Sequence, residues 1–273
     1  MSPALWFSHF ESDPWFNMGF DEWMLGSALS VPGLLIVRLY TWSEGTITFG
    51  RNQRQDSALK WDGVGWTPVI RRVTGGRAVY HDPGEFTYSL ALNPRASDRR
   101  YLGGSVARSS ALISEALLHF VQQQGMTSEI VARSGQSDAH PEVFHKAPCF
   151  ASAARHELMA GDRKVVASAQ RQVDGVILQH GSIKLHGLAW HPALPAAGVS
   201  GQTDVVRRVE SDQWNRVAAS FQSVMGSWLG AELIPSALDA KAEREVDMLA
   251  QRVRSNPLER RPPVKQTALA NSL

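Results

Sequence analysis

The single cysteine of the chain, Cys149, stands in Ala147-Pro148-Cys149-Phe150 at the end of a long polar stretch. A thiol does chemistry as its thiolate, and a nearby cation or helix N-terminus brings it to that state near neutral pH. Lys164 follows fifteen positions on, at the head of a strand-like segment, close enough in sequence for a hairpin-like return. Each residue alone has a plainer reading: the cysteine as a small buried hydrophobe, the lysine as strand surface charge. The histidines add candidates without choosing among them. His140, His145 and Cys149 are spaced as three metal ligands, but a fourth ligand and a framework are missing, so no metal site is assigned. His81-Asp82 has acid–base types, yet adjacent strand residues point to opposite faces. His180, in LQHGSIKL (178–185), fits either catalysis or a satisfied place in the core. A Cys–His–Asp triad stays open, with no spacing that singles one out.

The least ordinary string is Arg71-Arg72-Val73-Thr74-Gly75-Gly76-Arg77-Ala78-Val79-Tyr80-His81-Asp82. Its glycines fall between two strand-like segments, not between a strand and a helix, which excludes a dinucleotide fingerprint and a P-loop. Adjacent glycines let a ligand lie against backbone. Arg71, Arg72 and Arg77 add positive charge suited to a phosphate or carboxylate. An ordinary hairpin turn with solvated arginines accounts for the same letters.

Strands and helices must position these residues. Phe16, Phe20, Trp23 and Met24 recur at i, i+4, i+7 and i+8 behind the start signal Asp13-Pro14, which predicts a helix. LLIVRLYTW (34–42) and TITFG (46–50) read as neighbouring antiparallel strands across Glu44-Gly45. Gln55–Trp61 reads as a short helical stretch, and TPVIRRV (67–73), AVYHD (78–82) and EFTYSLAL (85–92) as strands. The last of these puts Phe86, Tyr88, Leu90 and Leu92 on one face. A second helix is expected from about Ser105 to Gln123, with Val106, Ile113, Leu117, Phe120 and Val121 inward; residues 133–148 carry no period. Arg163–Gln170 and Val176–Leu185 read as strands joined at Asp174-Gly175. Ser211 is expected to cap a helix that turns Trp214, Val217, Ala218, Phe221, Met225 and Trp228 inward. Leu238–Val253 is a last amphipathic helix before a charged, proline-containing tail. The fold class is therefore α+β, with mixed, mostly antiparallel sheets and flanking helices. Residues 1–235 are expected to form one domain, 236–261 a helical extension and 262–273 a loose tail.

Composition limits the function classes. Of 273 residues, 43% are hydrophobic and 20% charged, enough for a sizeable core. Lys plus Arg number 28 against 26 acids, a net +2 that argues against a dedicated nucleic-acid binder. One cysteine excludes an internal disulfide and a cysteine-rich zinc site. The opening MSPALWFSHFESDPWF lacks the order of a signal peptide. Trp23 to Val37, the longest apolar stretch, is broken by Gly26, Pro32 and Gly33, so no membrane span is expected. A reducing, cytoplasmic setting is the expectation.

Five strings in order resemble the lipoate–protein ligase/octanoyltransferase family, which includes biotin–protein ligases: FNMGFDE (16–22), IRRVTGGRAVYHD (70–82), PCF (148–150), GDRKVVASAQ (161–170) and GVILQHGSIKL (175–185). The likeness runs from about residue 5 to about 261, and the glycine string and the lysine–glutamine strand are its most specific parts. It implies the biotin/lipoate protein ligase catalytic-domain fold for residues 1–235. Within the family, Cys149 is most similar to the catalytic cysteine of the octanoyltransferase type of Gram-positive bacteria. ATP-dependent ligases generally lack that cysteine and usually carry a further small C-terminal domain, for which this chain is expected to leave no room. The resemblance implies that Lys164 lowers the Cys149 pKa and holds the acyl carbonyl. The thiolate would take octanoyl from acyl carrier protein. A lysine of an apo lipoyl domain of 2-oxo acid dehydrogenases, or of the glycine-cleavage H protein, would then receive it as an amide. No cofactor is implied for this transfer; a ligase would use ATP and Mg.

Arg72, Thr74, Gly75, Gly76, Arg77, Ala78, His81, Ser168, Ala169, Gln170, His180 and Gly181 are the implied acyl-pocket and carrier-binding residues, with Arg51, Arg54 and Arg72 meeting the carrier's acidic surface. The alternatives are an ATP-dependent lipoate–protein ligase, a lipoyl amidotransferase using the same Cys–Lys pair, and a non-catalytic acyl- or carrier-binding homologue. Three departures bear on pocket shape and acyl length. Ala151-Ser152-Ala153-Ala154 replaces the family's Asp-Ala-Pro-Ser, Ala167 begins the stretch that usually reads Gly-Ser-Ala-Gln, and Gly19 and Phe20 interrupt the usual Asn-Met-Ala-Leu-Asp-Glu.

Overall fold

The computed structural model describes residues 4–54, 59–94, 105–131, 156–194, 202–203 and 208–255. β1 (Ala4–Ser12) leads into α1 (Pro14–Ser30). Asp13 caps α1 by accepting the backbone N–H groups of Trp15 and Phe16, and proline fills the first helical position, where no donor is needed. β2 (Leu35–Trp42), β3 (Thr46–Phe49), a 3-10 turn at Trp61–Gly63, β4 (Val69–Arg71), β5 (Val79–His81) and β6 (Phe86–Leu92) follow. Next come α2 (Val106–Gln123), β7 (Glu129–Ile130), β8 (Leu158–Ala160), β9 (Arg163–Val173), β10 (Val176–Ile183), β11 (Leu188–Ala189) and β12 (Gln202–Thr203). α3 (Ser211–Leu229), β13 (Ile234–Pro235) and α4 (Ala240–Ser255) complete the described chain.

The main sheet runs β13-β1-β2-β6-β10-β9-β8-β7 and is antiparallel except for the β13–β1 and β1–β2 pairs. β4-β3-β5 forms a second, three-stranded sheet, and β11 pairs with β12. The fold is thus α+β with a mostly antiparallel sheet and flanking helices. One neighbour relation differs from expectation: β2 and β3 do not pair. All eight residues of β2 are buried and its edges are taken by β1 and β6, which leaves β3 to pair with β4 and β5.

Alternation sorts the faces of the main sheet. Val37, Leu39, Phe86, Tyr88 and Leu90 pack under α2 and α3 through Ile113, Leu117, Phe120, Trp214 and Phe221. Val106, expected inward, is 46% exposed on the first turn of α2, and Glu210, not Ser211, occupies the N-cap of α3. On the other face Ile36, Ala91 and Leu178 pack under Phe20, Met24 and Ala28 of α1. α4 lies against α1, with Val246 in the same apolar cluster. A Cβ on Gly19 would come within 2.7 Å of the Ala250 backbone N, so the bare glycine is what lets the two helices meet. Among the described residues no helix is long and apolar enough to cross a membrane.

Candidate functional site

In-register pairing lays side chains in rows across β9, β10, β6 and β2. Ala169, His180, Ser89 and Arg38 form one row; Ala167, Ser182, Thr87 and Tyr40 form the next. The second row floors a cavity roofed by Thr48, Val79 and His81 of the small sheet, by Arg72 and Gly76 of the glycine string, and by Met18 of α1. Ser168, Ala169, His180 and Gly181 complete the wall.

The first row is tied to α1 through Asp21. Its carboxylate accepts from Ser89 Oγ at 2.6 Å, His180 Nδ1 at 2.7 Å, Tyr40 Oη at 3.2 Å and Arg38 Nη1 at 3.4 Å, and Asp21 and Arg38 are both fully buried. A carboxylate facing a guanidinium is an acceptor only, so His180 carries its proton on Nδ1. Its Nε2 is hydrogen-bonded to the Thr74 hydroxyl, 2.5 Å away. The order carboxylate, imidazole, hydroxyl is thereby fixed in the wall of the cavity.

His81 is held differently. Arg72 Nη1 donates to Thr48 Oγ1 at 3.2 Å, the Thr48 hydroxyl donates to His81 Nε2 at 2.8 Å, and His81 Nδ1 donates to Glu85 Oε1 at 2.7 Å. Lys184 closes this chain on Glu85 at 2.5 Å and on Asp82 at 2.8 Å. Burial pushes the His81 imidazole below its ordinary value and keeps it neutral. Burial would raise Glu85, but Lys184 and His81 bring it down to about 2. Burial likewise opposes the charge of Lys184, yet Asp82 and Glu85 hold it above the usual lysine value. Trp42 stacks on His81 with ring centroids 4.2 Å apart and donates to Thr87, whose hydroxyl also goes to Glu85. The polar groups around the cavity are therefore largely bonded to one another, which leaves carbon surface for an apolar occupant.

The expected site residues divide accordingly. Arg72, Gly76, His81, Ser168, Ala169, His180 and Gly181 meet at the cavity, and Thr74 joins them through His180. Gly75, Arg77, Ala78 and Gln170 do not line it. Gly75 and Arg77 offer backbone carbonyls to the Arg72 guanidinium, Ala78 belongs to the core of the small sheet, and Gln170 bonds Ser109 and Gln179. Arg72, expected to reach a carrier protein, is 4% exposed and spends its fork on the loop and on Thr48; Arg71 does the same for the carbonyls of Gly50, Arg51 and Gln53. Arg51 and Arg54 are exposed. Lys164 is buried on β9, off the cavity wall, with Nζ 2.6 Å from Glu157 Oε2. Cys149, His140 and His145 lie outside the described residues. Among the described residues no group of His, Cys, Asp or Glu is placed to hold a metal ion.

Asp21, Glu85, Glu157 and Lys184 carry the electrostatics, and none was assigned a role from the sequence. A signal existed for two of them. Asn17 and Asp21 put polar groups one turn apart on a helix face that packs inward, and His180, Ser182 and Lys184 alternate along a strand that is buried throughout.

An eight-stranded sheet backed by helices, with a small second sheet roofing a cavity beside a glycine loop, defines an α+β domain with a largely apolar cavity. The chain belongs to the lipoyl protein ligase A/B catalytic domain family, which it matches over residues 13–191. It is 36% identical over 180 residues to octanoyltransferase LipM of Moorella thermoacetica, a match covering 64% of this chain and 62% of the length of that protein. It is 31% identical over 256 residues to octanoyltransferase LipM of Symbiobacterium thermophilum, covering 86% of this chain and 89% of that one. The solved structure of a lipoate-protein ligase A bound with ATP has the same fold at TM-score 0.68 and 20% identity, covering 94% of this chain and 97% of that one.

Proposed function

We propose that the protein is an octanoyltransferase of protein lipoylation. It moves octanoyl from a thioester on acyl carrier protein to a lysine of an apo lipoyl domain, in 2-oxo acid dehydrogenases or the glycine-cleavage H protein. The observation that carries this reading is the cavity beside β9, the strand of Lys164, whose polar wall atoms are bonded to each other and leave space for an alkyl chain. The LipM relatives, named as octanoyltransferases, support the same reading. In the first half-reaction the Cys149 thiolate attacks the carrier's thioester carbonyl, the S-acyl enzyme forms and the carrier thiolate leaves. In the second, the neutral acceptor amine attacks that acyl carbon, the amide forms, Cys149 leaves as thiolate, and the amine's proton is released to a base. Lys164, ion-paired with Glu157, is the cation assigned to the Cys149 thiolate in this reading. A thioester already holds the free energy for amide formation, so the transfer consumes no ATP.

Intact-protein mass after mixing with octanoyl carrier protein alone tests this. The wild type is expected to gain one octanoyl group and pass it to a lipoyl domain, and Cys149→Ala to lose transfer by about a thousandfold or more. Activity only with free octanoate, ATP and Mg, undiminished in Cys149→Ala, would make the protein a ligase instead. A donor restricted to already lipoylated protein would make it an amidotransferase.

A further inference from the structure

The cavity has a direction. Near β9 it is bordered by exposed Gly76 and half-buried Ser168 and Ala169; at β2 it ends on Tyr40, fully buried, and Met18, 4% exposed. Its floor is a straight transverse row, Ala167 to Ser182 to Thr87 to Tyr40, one residue from each of four adjacent strands. Three strand spacings make roughly 14 Å from β9 to β2. An extended eight-carbon chain needs about 9 Å at ~1.3 Å per carbon, which fits between the open end and the Tyr40 ring.

The two groups at the closed end differ in freedom. The Tyr40 hydroxyl is bonded to Asp21, its ring lies 4.0 Å from the Arg38 guanidinium, and Trp42 packs beside it. That ring is fixed. Met18 is an unbranched apolar side chain that packs with Tyr40, Trp42 and Ile70. We propose that Met18, backed by the immobile Tyr40, is the stop against which the ω-end of the acyl chain rests, so that this pair selects a straight chain of about eight carbons. Ala167 and Ala169, with methyl side chains on the wall near the open end, keep the path clear behind it. The inference rests on the octanoyl-transfer reading for the identity of the occupant, but it is tested by binding alone.

The experiment titrates saturated free fatty acids of six to fourteen carbons into wild type, Met18→Ala and Ala167→Leu, with circular dichroism to confirm folding. Each additional buried methylene strengthens binding about fourfold. Wild-type affinity should rise to eight carbons and fall beyond. Met18→Ala should move the optimum to ten or twelve carbons, with about fifteenfold gained at ten carbons relative to eight. Ala167→Leu, which fills the path and leaves the stop in place, should favour six carbons and serves if Met18→Ala does not fold. An unchanged length profile in a folded Met18→Ala protein, or a wild-type profile flat from six to fourteen carbons, overturns the proposal. Loss of carrier-to-domain transfer with an intact length profile would instead overturn the octanoyltransferase reading and leave the stop standing.

Discussion

His9 receives the Arg38 Nε–H on its Nδ1 at 2.9 Å, an arrangement open only to the neutral ring. Burial, reinforced by the Arg38 charge, lowers its pKa to about 3. The unfolded chain takes up this proton near pH 6.5 and the folded one resists it, so stability falls as pH drops from about 6.5 toward 3. Glu85, brought down to about 2, adds a second loss as pH falls from about 4.5 toward 2. Urea midpoints measured from pH 7.5 to 3 are therefore expected to decline throughout the acid range, with roughly 2 kcal/mol lost to His9 between pH 6.5 and 4.5. His9→Gln keeps an acceptor for Arg38 and should make that upper limb shallower, the remainder coming from His81 and His191, while leaving the Glu85 limb; an unchanged slope would disprove the assignment. Legibility at this scale was uneven. Glycines and histidines stand out by type, whereas Asp21 and Lys184 matter only because tertiary pairing brings Arg38, His180, Asp82 and Glu85 to them.

The glycine string does its work as an element, a loop between β4 and β5 drawn together by one guanidinium. Its two glycines are not equivalent. Gly76 has φ +91°, and a Cβ there would meet Arg72 Nη2 at 2.7 Å; a Cβ on Gly75 meets nothing within 4 Å. Gly76→Ala is expected to cost about 1–3 kcal/mol, from left-handed strain and displacement of the Arg72 fork, and to weaken fatty-acid binding at least tenfold. Gly75→Ala should stay within about 1 kcal/mol of wild type and bind normally. Thermal unfolding and the same titration check both, and equal effects would show the loop is an undifferentiated turn. The strands themselves were readable because alternation is local: Phe86, Tyr88, Leu90 and Leu92 share a face as their spacing requires. The partner of β3 was not readable, because a short loop after β2 favours a hairpin and only burial on both edges of β2 forbids it. The same holds for the cavity floor, which exists only through registers linking β9, β10, β6 and β2.

Across the whole molecule, α1 is the piece on which the others converge. It carries Met18 and Asp21 into the site on either side of Gly19, and α4 rests against that glycine from behind. Gly19→Val would drive a side chain into backbone, with Ala250 N at 2.7 Å and Val246 O at 3.1 Å from the first atom added. It is expected to cost about 1–3 kcal/mol and to loosen acyl binding by shifting Met18; full stability by urea unfolding would rule out a tight α1–α4 seat. The amphipathic pattern of α4 was visible in the sequence within two residues at each end, but its seat was not, since a bare glycine announces an approach without naming the visitor. That seat also sets an order of events during synthesis. Ala250 leaves the ribosome 231 residues after Gly19, a wait on the order of ten seconds or more at ordinary elongation rates. Through that interval the face of α1 around Gly19 stands without the helix that covers it, while Met18 and Asp21 on the same helix already face the site.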